Sequence, residues 1–283
     1  MVKKNRFEGK KQVKVDGGFI LSYWKIFDIS LFGRGMNEVL KIVDDWIQSG
    51  VKSKWIATVN PEFIMATFAR ASAAKKATER SEFFEILRQT DLNVVDGVGL
   101  LWAREVGNGK NWFKAGMEVV MGKHREGLVS GADLMPELCK LALKKGYKVF
   151  FLGGFGNRAK RTAQYFKSQF PISNFQLDYC EGEPDIKNEE VLKQINKFKP
   201  DILFVAYGMK KQEEWIKNNR DKADFRVAIG VGRSFDYYSG DLKRAPKLVR
   251  KIGMEWLYSL IREPKRLKRQ LVLPKFIKKV LTK

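Results

Sequence analysis

The sequence predicts an α/β fold, a Rossmann-like, mostly parallel sheet with helices on both faces, extended by a basic helical C-terminal appendage. Three observations carry this reading. Short β-rich runs alternate with amphipathic helical stretches along most of the chain, the pattern of βαβ units. Runs such as Val149-Phe150-Phe151-Leu152 and Ile202-Leu203-Phe204-Val205 are apolar without alternation, as strands buried on both faces are. Glycine or proline often stands where a run ends and the next helix begins, as at Pro61, Gly97 and Gly153.

Taken in order, strands are expected at Trp55 to Val59, Leu92 to Val95, Lys148 to Leu152, Asn174 to Asp178, Ile202 to Ala206 and Arg226 to Val231. Helices are expected at Gly35 to Gln48, Pro61 to Ala71, Val98 to Val106, Asp133 to Lys145, Asn157 to Gln169, Asn188 to Phe198 and Lys211 to Asn219. Residues 1–18 read as a flexible basic leader, 19–241 as the α/β domain and 242–283 as a basic amphipathic, membrane-associating appendage. Neither an internal repeat nor a low-complexity segment is evident.

The appendage is the most strongly biased segment. From Leu242 to Lys283 it carries fourteen Lys or Arg against two acids. It is threaded with Trp256, Leu257, Tyr258, Leu260, Ile261, Leu267, Leu271, Val272, Leu273, Phe276, Ile277 and Val280. Charge alone would suit a solvated helix or a nucleic-acid patch equally well. The aliphatic residues, however, are too many for a purely electrostatic arm and fit an anionic membrane surface.

The whole chain, 283 residues with net charge +22, points to a polyanionic partner. It lacks a run of roughly eighteen apolar residues, so a bilayer-spanning helix is not expected. Its basic start has no apolar core and cleavage site, so a secretory signal is not expected either, and a cytoplasmic location follows. Cys139 and Cys180 stand in no metal-ligand spacing, and His124 is the sole histidine, so no Cys/His zinc site is expected. His124 also has no nucleophile motif beside it, which makes a carboxylate the better candidate for a general base.

In a parallel sheet, ligands sit beyond the carboxyl ends of the strands. Five such ends carry distinctive residues: Thr58-Val59-Asn60-Pro61, Val95-Asp96-Gly97-Val98-Gly99, Leu152-Gly153-Gly154-Phe155-Gly156-Asn157, Tyr207-Gly208-Met209-Lys210-Lys211-Gln212-Glu213 and Val231-Gly232-Arg233-Ser234-Phe235-Asp236. Taken singly, Asn60 and Asp96 would serve equally as turn or helix-cap residues. Gln212 and Glu213 would serve as exposed residues of a first helical turn. Their concurrence on one rim is the functional signal.

Two readings of these residues compete. Gly154-Phe155-Gly156-Asn157-Arg158-Ala159 fits G-x-G-x-x-A, and Asp178 follows about twenty residues on, as in an NAD-dependent oxidoreductase. Alternatively, the basic chain is a non-catalytic module binding membrane or nucleic acid.

From about Ile26 to Arg269 the sequence resembles the WecG/TagA/CpsF glycosyltransferases. The resemblance rests on Thr58-Val59-Asn60-Pro61-Glu62, Asp96-Gly97-Val98-Gly99, Gly131-Ala132-Asp133-Leu134, Phe151-Leu152-Gly153-Gly154, Pro200-Asp201-Ile202-Leu203, Gly208-Met209-Lys210-Lys211-Gln212-Glu213, Val231-Gly232-Arg233-Ser234-Phe235-Asp236, Lys243-Arg244-Ala245-Pro246 and Gly253-Met254-Glu255-Trp256-Leu257-Tyr258. It implies an inverting, metal-independent transfer of an N-acetylhexosamine of the N-acetylmannosamine type. The donor would be a UDP-sugar and the acceptor a polyprenyl-pyrophosphate-linked sugar, on the way to a cell-surface polysaccharide such as teichoic acid.

By the same resemblance Asp96 is the expected base, and Thr58 and Asn60 line its pocket. Gln212, Gly97 and Gly208 are expected to bind substrate, and Gly153, Gly154 and Asp236 the nucleotide. Arg266 and Arg269 match arginines that neutralise the diphosphate, with Arg262 one helical turn before Arg266. The expected partners are the UDP-sugar, the lipid-linked acceptor and the anionic inner face of the cell membrane, with no cofactor and no nucleic acid; a homo-oligomer is compatible with the reading. The chain departs from the family at three positions, with Leu128 and Ser259 where arginines are usual and Arg233 where a glycine is usual. Arg125 offers itself as a substitute for the first. A longer insert, Gly107 to Gly127, also separates two of the motifs.

Overall fold

A computed structural model of the chain describes residues 7–15, 19–68, 81–170, 175–184, 189–264 and 267–282. Among these, nine strands form one sheet: β1 (Phe7–Val15), β2 (Phe19–Ile26), β3 (Ile29–Phe32), β4 (Lys54–Val59), β5 (Leu92–Val95), β6 (Val149–Gly153), β7 (Leu177–Cys180), β8 (Ile202–Ala206) and β9 (Val227–Gly230). Their spatial order is β1-β2-β3-β5-β4-β9-β8-β6-β7. The first two pairings are antiparallel, and every pairing from β3 to β7 is parallel. The α/β class, the parallel sheet and five of the six expected strands agree with the sequence reading to within one residue at each end.

The fourteen described helices are α1 (Met36–Gln48), α2 (Pro61–Ala66), α3 (Glu82–Arg88), α4 (Val98–Gly107), α5 (Trp112–Val120), α6 (Gly131–Lys145), α7 (Arg158–Gln169), α8 (Glu189–Phe198), α9 (Lys211–Asn219), α10 (Ser234–Tyr238), α11 (Lys247–Lys251), α12 (Glu255–Arg262), α13 (Leu267–Gln270) and α14 (Val272–Leu281). Side-chain alternation along the strands divides the interior into two cores. Trp55, Ala57 and Val59 of β4 join Phe150, Leu152, Leu203 and Val205 against α2, α3, α4, α5, α8 and α9. Ile56 turns the other way and joins Phe151, Phe204 and Ile229 against α1, α6, α7 and α10. Both sheet faces are therefore covered, which is why β6 and β8 are apolar throughout.

Four differences from the sequence reading have physical causes. Within the stretch read as a basic leader, residues 7–15 pair along β2 as an antiparallel hairpin strand. Lysines are common on edge strands, where they discourage further pairing, so charge density disguised the strand. Strand β7 begins at Leu177, three residues later than expected. Helix α2 ends at Ala66, and residues 69–80 lie outside the described part of the chain.

The fourth difference concerns the C-terminal segment. Phe276 and Val280 of α14, read as part of a lipid-facing stripe, are buried in the core beside α2 and α4. Leu248, Ile252, Trp256, Ile261, Leu267, Leu271 and Ile277 remain exposed. The segment is thus pinned at its far end by two apolar side chains, and only part of its apolar content faces outward. No helix among the described residues is long and apolar enough to cross a membrane.

Candidate active site at the carboxyl ends of the strands

The parallel strands end in register, with Val59 opposite Val95 and Ala57 opposite Gly230, so the turns that follow β4, β5, β8 and β9 meet on one rim. They enclose a cavity of about 200 Å³ whose wall includes Thr58, Asn60, Asp96, Gly208, Gln212 and Arg269. Six sequence-predicted residues are thereby brought to one place. Of the others, Gly97 adjoins Asp96, with a φ of +117° that turns the chain from β5 into α4. That angle favours glycine.

Asp96 is held from its backbone, its N–H donating to Val59 O at 2.7 Å. Its half-buried carboxyl is pushed up to about 7. Burial is the main cause, with the charges of Glu255 and Asp133 adding to it, while Arg244 and the Gly131 N–H act in the opposite sense. Such a carboxyl can take a proton from a hydroxyl near neutral pH and still hold it as the reaction proceeds.

The polar wall is built from groups already committed to neighbours. Thr58 Oγ1 donates to Gly230 O at 2.9 Å across the β4–β9 pairing. Asn60 Oδ1 accepts from the Phe63 N–H at 3.1 Å, capping α2 ahead of Pro61, so the cap reading and the site reading hold together. Gln212 is buried, with its Oε1 accepting from the Gly232 N–H at 2.9 Å and its Nε2 donating to Glu213 Oε1 at 2.7 Å. Glu213 is also buried rather than an exposed first-turn acid, and burial pushes its carboxyl up to about 8. Gly230 has to be glycine here, because a Cβ would stand 2.6 Å from both Gln212 Nε2 and Glu213 Oε1.

Sequence reasoning gave no role to the charged cluster beside Asp96. Arg244 grips Asp133 through two parallel hydrogen bonds, Nη1 to Oδ1 at 2.7 Å and Nη2 to Oδ2 at 2.8 Å. Its Nε donates to Glu255 Oε1 at 3.2 Å, and Arg250 Nη1 reaches Asp133 Oδ1 at 3.3 Å. Burial raises the Asp133 carboxyl, but Arg244, Ser130 and Arg250 together hold it below its usual range. These residues lie inside the matched motifs, which was the available signal; their pairing across the fold was not readable from spacing.

The C-terminal segment lies against this rim. Arg233 Nη2 pairs with Glu263 Oε1 at 2.7 Å and its Nε with Asp236 Oδ2 at 3.1 Å. Arg269 Nη2 meets Glu62 Oε2 at 2.6 Å. Arg262 is exposed at the end of α12, and Arg266 lies outside the described residues. Asp236 is held between Arg158 and Arg233 rather than lining the cavity. Gly153 and Gly154 turn the chain after β6 at φ of +91° and +79°, packed against Tyr207 and Phe235 respectively, and do not line the cavity either.

Arg125 does not reach this cavity. Its Nη1 donates to Arg250 O at 2.8 Å and its Nη2 to Val119 O at 3.3 Å. With Leu128 it borders a separate cavity of about 910 Å³ beside Trp24 and Arg104, which shares no lining residue with the Asp96 pocket. The dinucleotide reading fares less well. Asp178 stands opposite Phe150, three residues short of the β6 tip, and accepts from the Tyr179 N–H at 2.9 Å. A ribose ligand belongs beyond the end of its strand.

The profile of the glycosyl transferase WecG/TagA/CpsF family matches residues 24–283. Among curated proteins, the chain is 33% identical over 227 residues to N-acetylglucosaminyldiphosphoundecaprenol N-acetyl-beta-D-mannosaminyltransferases of Staphylococcus aureus, strains MRSA252 and MW2. The match covers 80% of this chain and 79% of either relative.

Proposed function

The chain belongs to the WecG/TagA/CpsF glycosyltransferase family, and on that premise we propose that it moves an N-acetylmannosamine-type sugar from UDP to a polyprenyl-diphosphate-linked N-acetylglucosamine. In this reading the transfer inverts the anomeric centre and needs no divalent cation. The enzyme works from the cytoplasmic face of the membrane, where the lipid-linked acceptor is anchored.

One observation carries the reading: a half-buried carboxyl, Asp96, held near 7 at the meeting point of four strand ends and beneath an arginine-bearing segment. The acceptor hydroxyl gives its proton to Asp96 as its oxygen attacks the anomeric carbon, and the bond to UDP breaks on the opposite face. Thr58, Asn60 and Gly208 line the space in which the two sugars meet. Gln212 acts through its hold on the Gly232 turn, shaping the wall against which the donor lies.

The departing diphosphate gathers negative charge, which an arginine offsets through paired N–H donors. Arg269 is at the cavity, and Arg266 follows from the family resemblance. Arg233, standing where the family has a glycine, puts a further guanidinium on the cavity wall with Arg269. Arg244 is committed to Asp133 and Glu255, so its role is to set the field around Asp96.

The test is UDP release by full-length protein in detergent, over a panel of UDP-sugars that includes UDP-N-acetylmannosamine, with and without a lipid-diphosphoryl-GlcNAc acceptor. Acceptor-dependent release that survives EDTA and vanishes in Asp96→Asn is the expected result. Release that requires a divalent cation would overturn the metal-independent reading, and silence across the panel in folded protein would overturn the donor assignment.

A further inference from the structure

We propose that the outward face of α5, which lies in the insert and adjoins α11 of the C-terminal segment, is a second bilayer-docking surface specific for an anionic headgroup layer. The inference goes beyond the transfer reaction and does not rest on it.

Helix α5 lies in the insert that separates two family motifs. On its outer side Trp112, Phe113, Met117, Val120 and the following Met121 are each 49–63% exposed. On its inner side Ala115 and Val119 are buried against the core. An exposed run of this size and apolarity on one helix face marks an interaction surface rather than scattered surface hydrophobes.

The helix is held in this orientation by polar contacts. Asn111 caps its first turn, with Oδ1 accepting from the Phe113 N–H at 2.9 Å and the Lys114 N–H at 3.3 Å. Trp102 Nε1 on α4 donates to Trp112 O at 3.0 Å. Lys110 Nζ sits 2.7 Å from both Glu105 Oε2 and Glu118 Oε2, and His124 Nε2 stands 3.1 Å from Glu118 Oε2. The two carboxylates and the imidazole would suit a cation, but the Lys110 ammonium already joins the carboxylates. The network works as a fastening that keeps the aromatic side outward.

Charge and position select the occupant. Lys114 and Lys123 on and after α5 are exposed, as are Lys247 and Lys251 on α11. Arg125 bridges the two elements, touching Val119 O and Arg250 O. Gly253 packs on Val98 and Arg125 beside it. Leu248 and Ile252 on α11 are exposed as well, so α5 and the helix that Arg125 ties to it both present apolar side chains and lysines to solvent. A second copy of this chain, itself carrying +22, would meet that surface with like charge. An anionic bilayer offers acyl chains for the aromatic face and phosphates for the lysines.

The experiment uses full-length protein and flotation with vesicles of phosphatidylcholine alone or mixed with phosphatidylglycerol. The triple variant Trp112→Ser, Phe113→Ser, Met117→Ser should lower partition onto the mixed vesicles by about tenfold or more, with circular dichroism and melting unchanged. As an independent readout, lipids with brominated acyl chains should quench wild-type tryptophan fluorescence more than that of Trp112→Phe, since the chain holds six other tryptophans. Undiminished partition of a folded triple variant, or quenching equal in both proteins, overturns the proposal. So does a change of oligomeric state in the triple variant with partition unaltered, which would make the face an interface between copies.

Discussion

The Asp96 pocket and the α5–α11 rim occupy the same molecule and use charge in opposite ways. At the pocket each guanidinium is placed by a carboxylate: Arg244 by Asp133 and Glu255, Arg233 by Asp236 and Glu263, Arg269 by Glu62. At the rim, lysines and apolar side chains face outward together. The difference teaches that this chain pairs its charge where position decides a reaction and leaves lysines exposed beside the apolar face proposed to meet a fluid surface. A bilayer offers no fixed geometry to match.

The largest effect that would sharpen the contrast is on turnover. Asp96→Asn should lower it by about a hundredfold to ten-thousandfold while leaving UDP affinity within a few-fold of wild type, checked by transfer assay and calorimetry. Near-normal turnover would remove Asp96 as the base. The wild-type rate should fall about tenfold per pH unit below about 7, because the ionised carboxyl takes the proton, and should level off above it.

Stability should separate the regions next. Glu213 is raised from 4.5 to about 8 by burial, so the folded chain holds a proton there that the unfolded chain has released. Stability should therefore fall as pH rises between those two values, and Glu213→Gln should flatten that part of the curve, read from urea midpoints at about pH 5 and about pH 9. Arg244→Ala should cost about 2 kcal/mol, since it leaves the half-buried Asp133 with only Ser130 and the longer Arg250 contact, and Arg244→Lys should recover little because it lacks the paired donors. The smallest change should come from Glu62→Gln, at most about 1 kcal/mol, since its partner Arg269 is half exposed.

Legibility followed range along the chain. Strands β4, β5, β6, β8 and β9 were readable because a strand buried on both faces writes a continuous apolar run. Strand β1 was not, because Lys10, Lys11 and Lys14 made it look like a solvated leader. At the site, Asp96, Thr58, Asn60 and Gln212 were marked by position, each standing within six residues after a strand or at its end, and the family resemblance gave them their roles. The pairing of Arg244 with Asp133 spans 111 residues and appears only when α6 and the C-terminal segment are docked. The apolar period of α5 was present in the sequence, yet nothing local distinguishes an outward face from one that finds a core, and α14 shows the reverse outcome for Phe276 and Val280.

The contacts that hold the C-terminal segment over the pocket are Arg233 with Glu263 and Arg269 with Glu62, while Phe276 and Val280 moor its far end. Ion pairs of this exposure are worth about 1 kcal/mol or less each and are screened within a Debye length of about 8 Å at physiological salt. Ionic strength therefore acts as a dial on the entrance. Raising it loosens the single pair of the half-exposed Arg269 with Glu62 before it reaches Arg244, which Asp133 holds through two parallel hydrogen bonds, so exchange of ligands and the chemical step answer to different concentrations of the same salt.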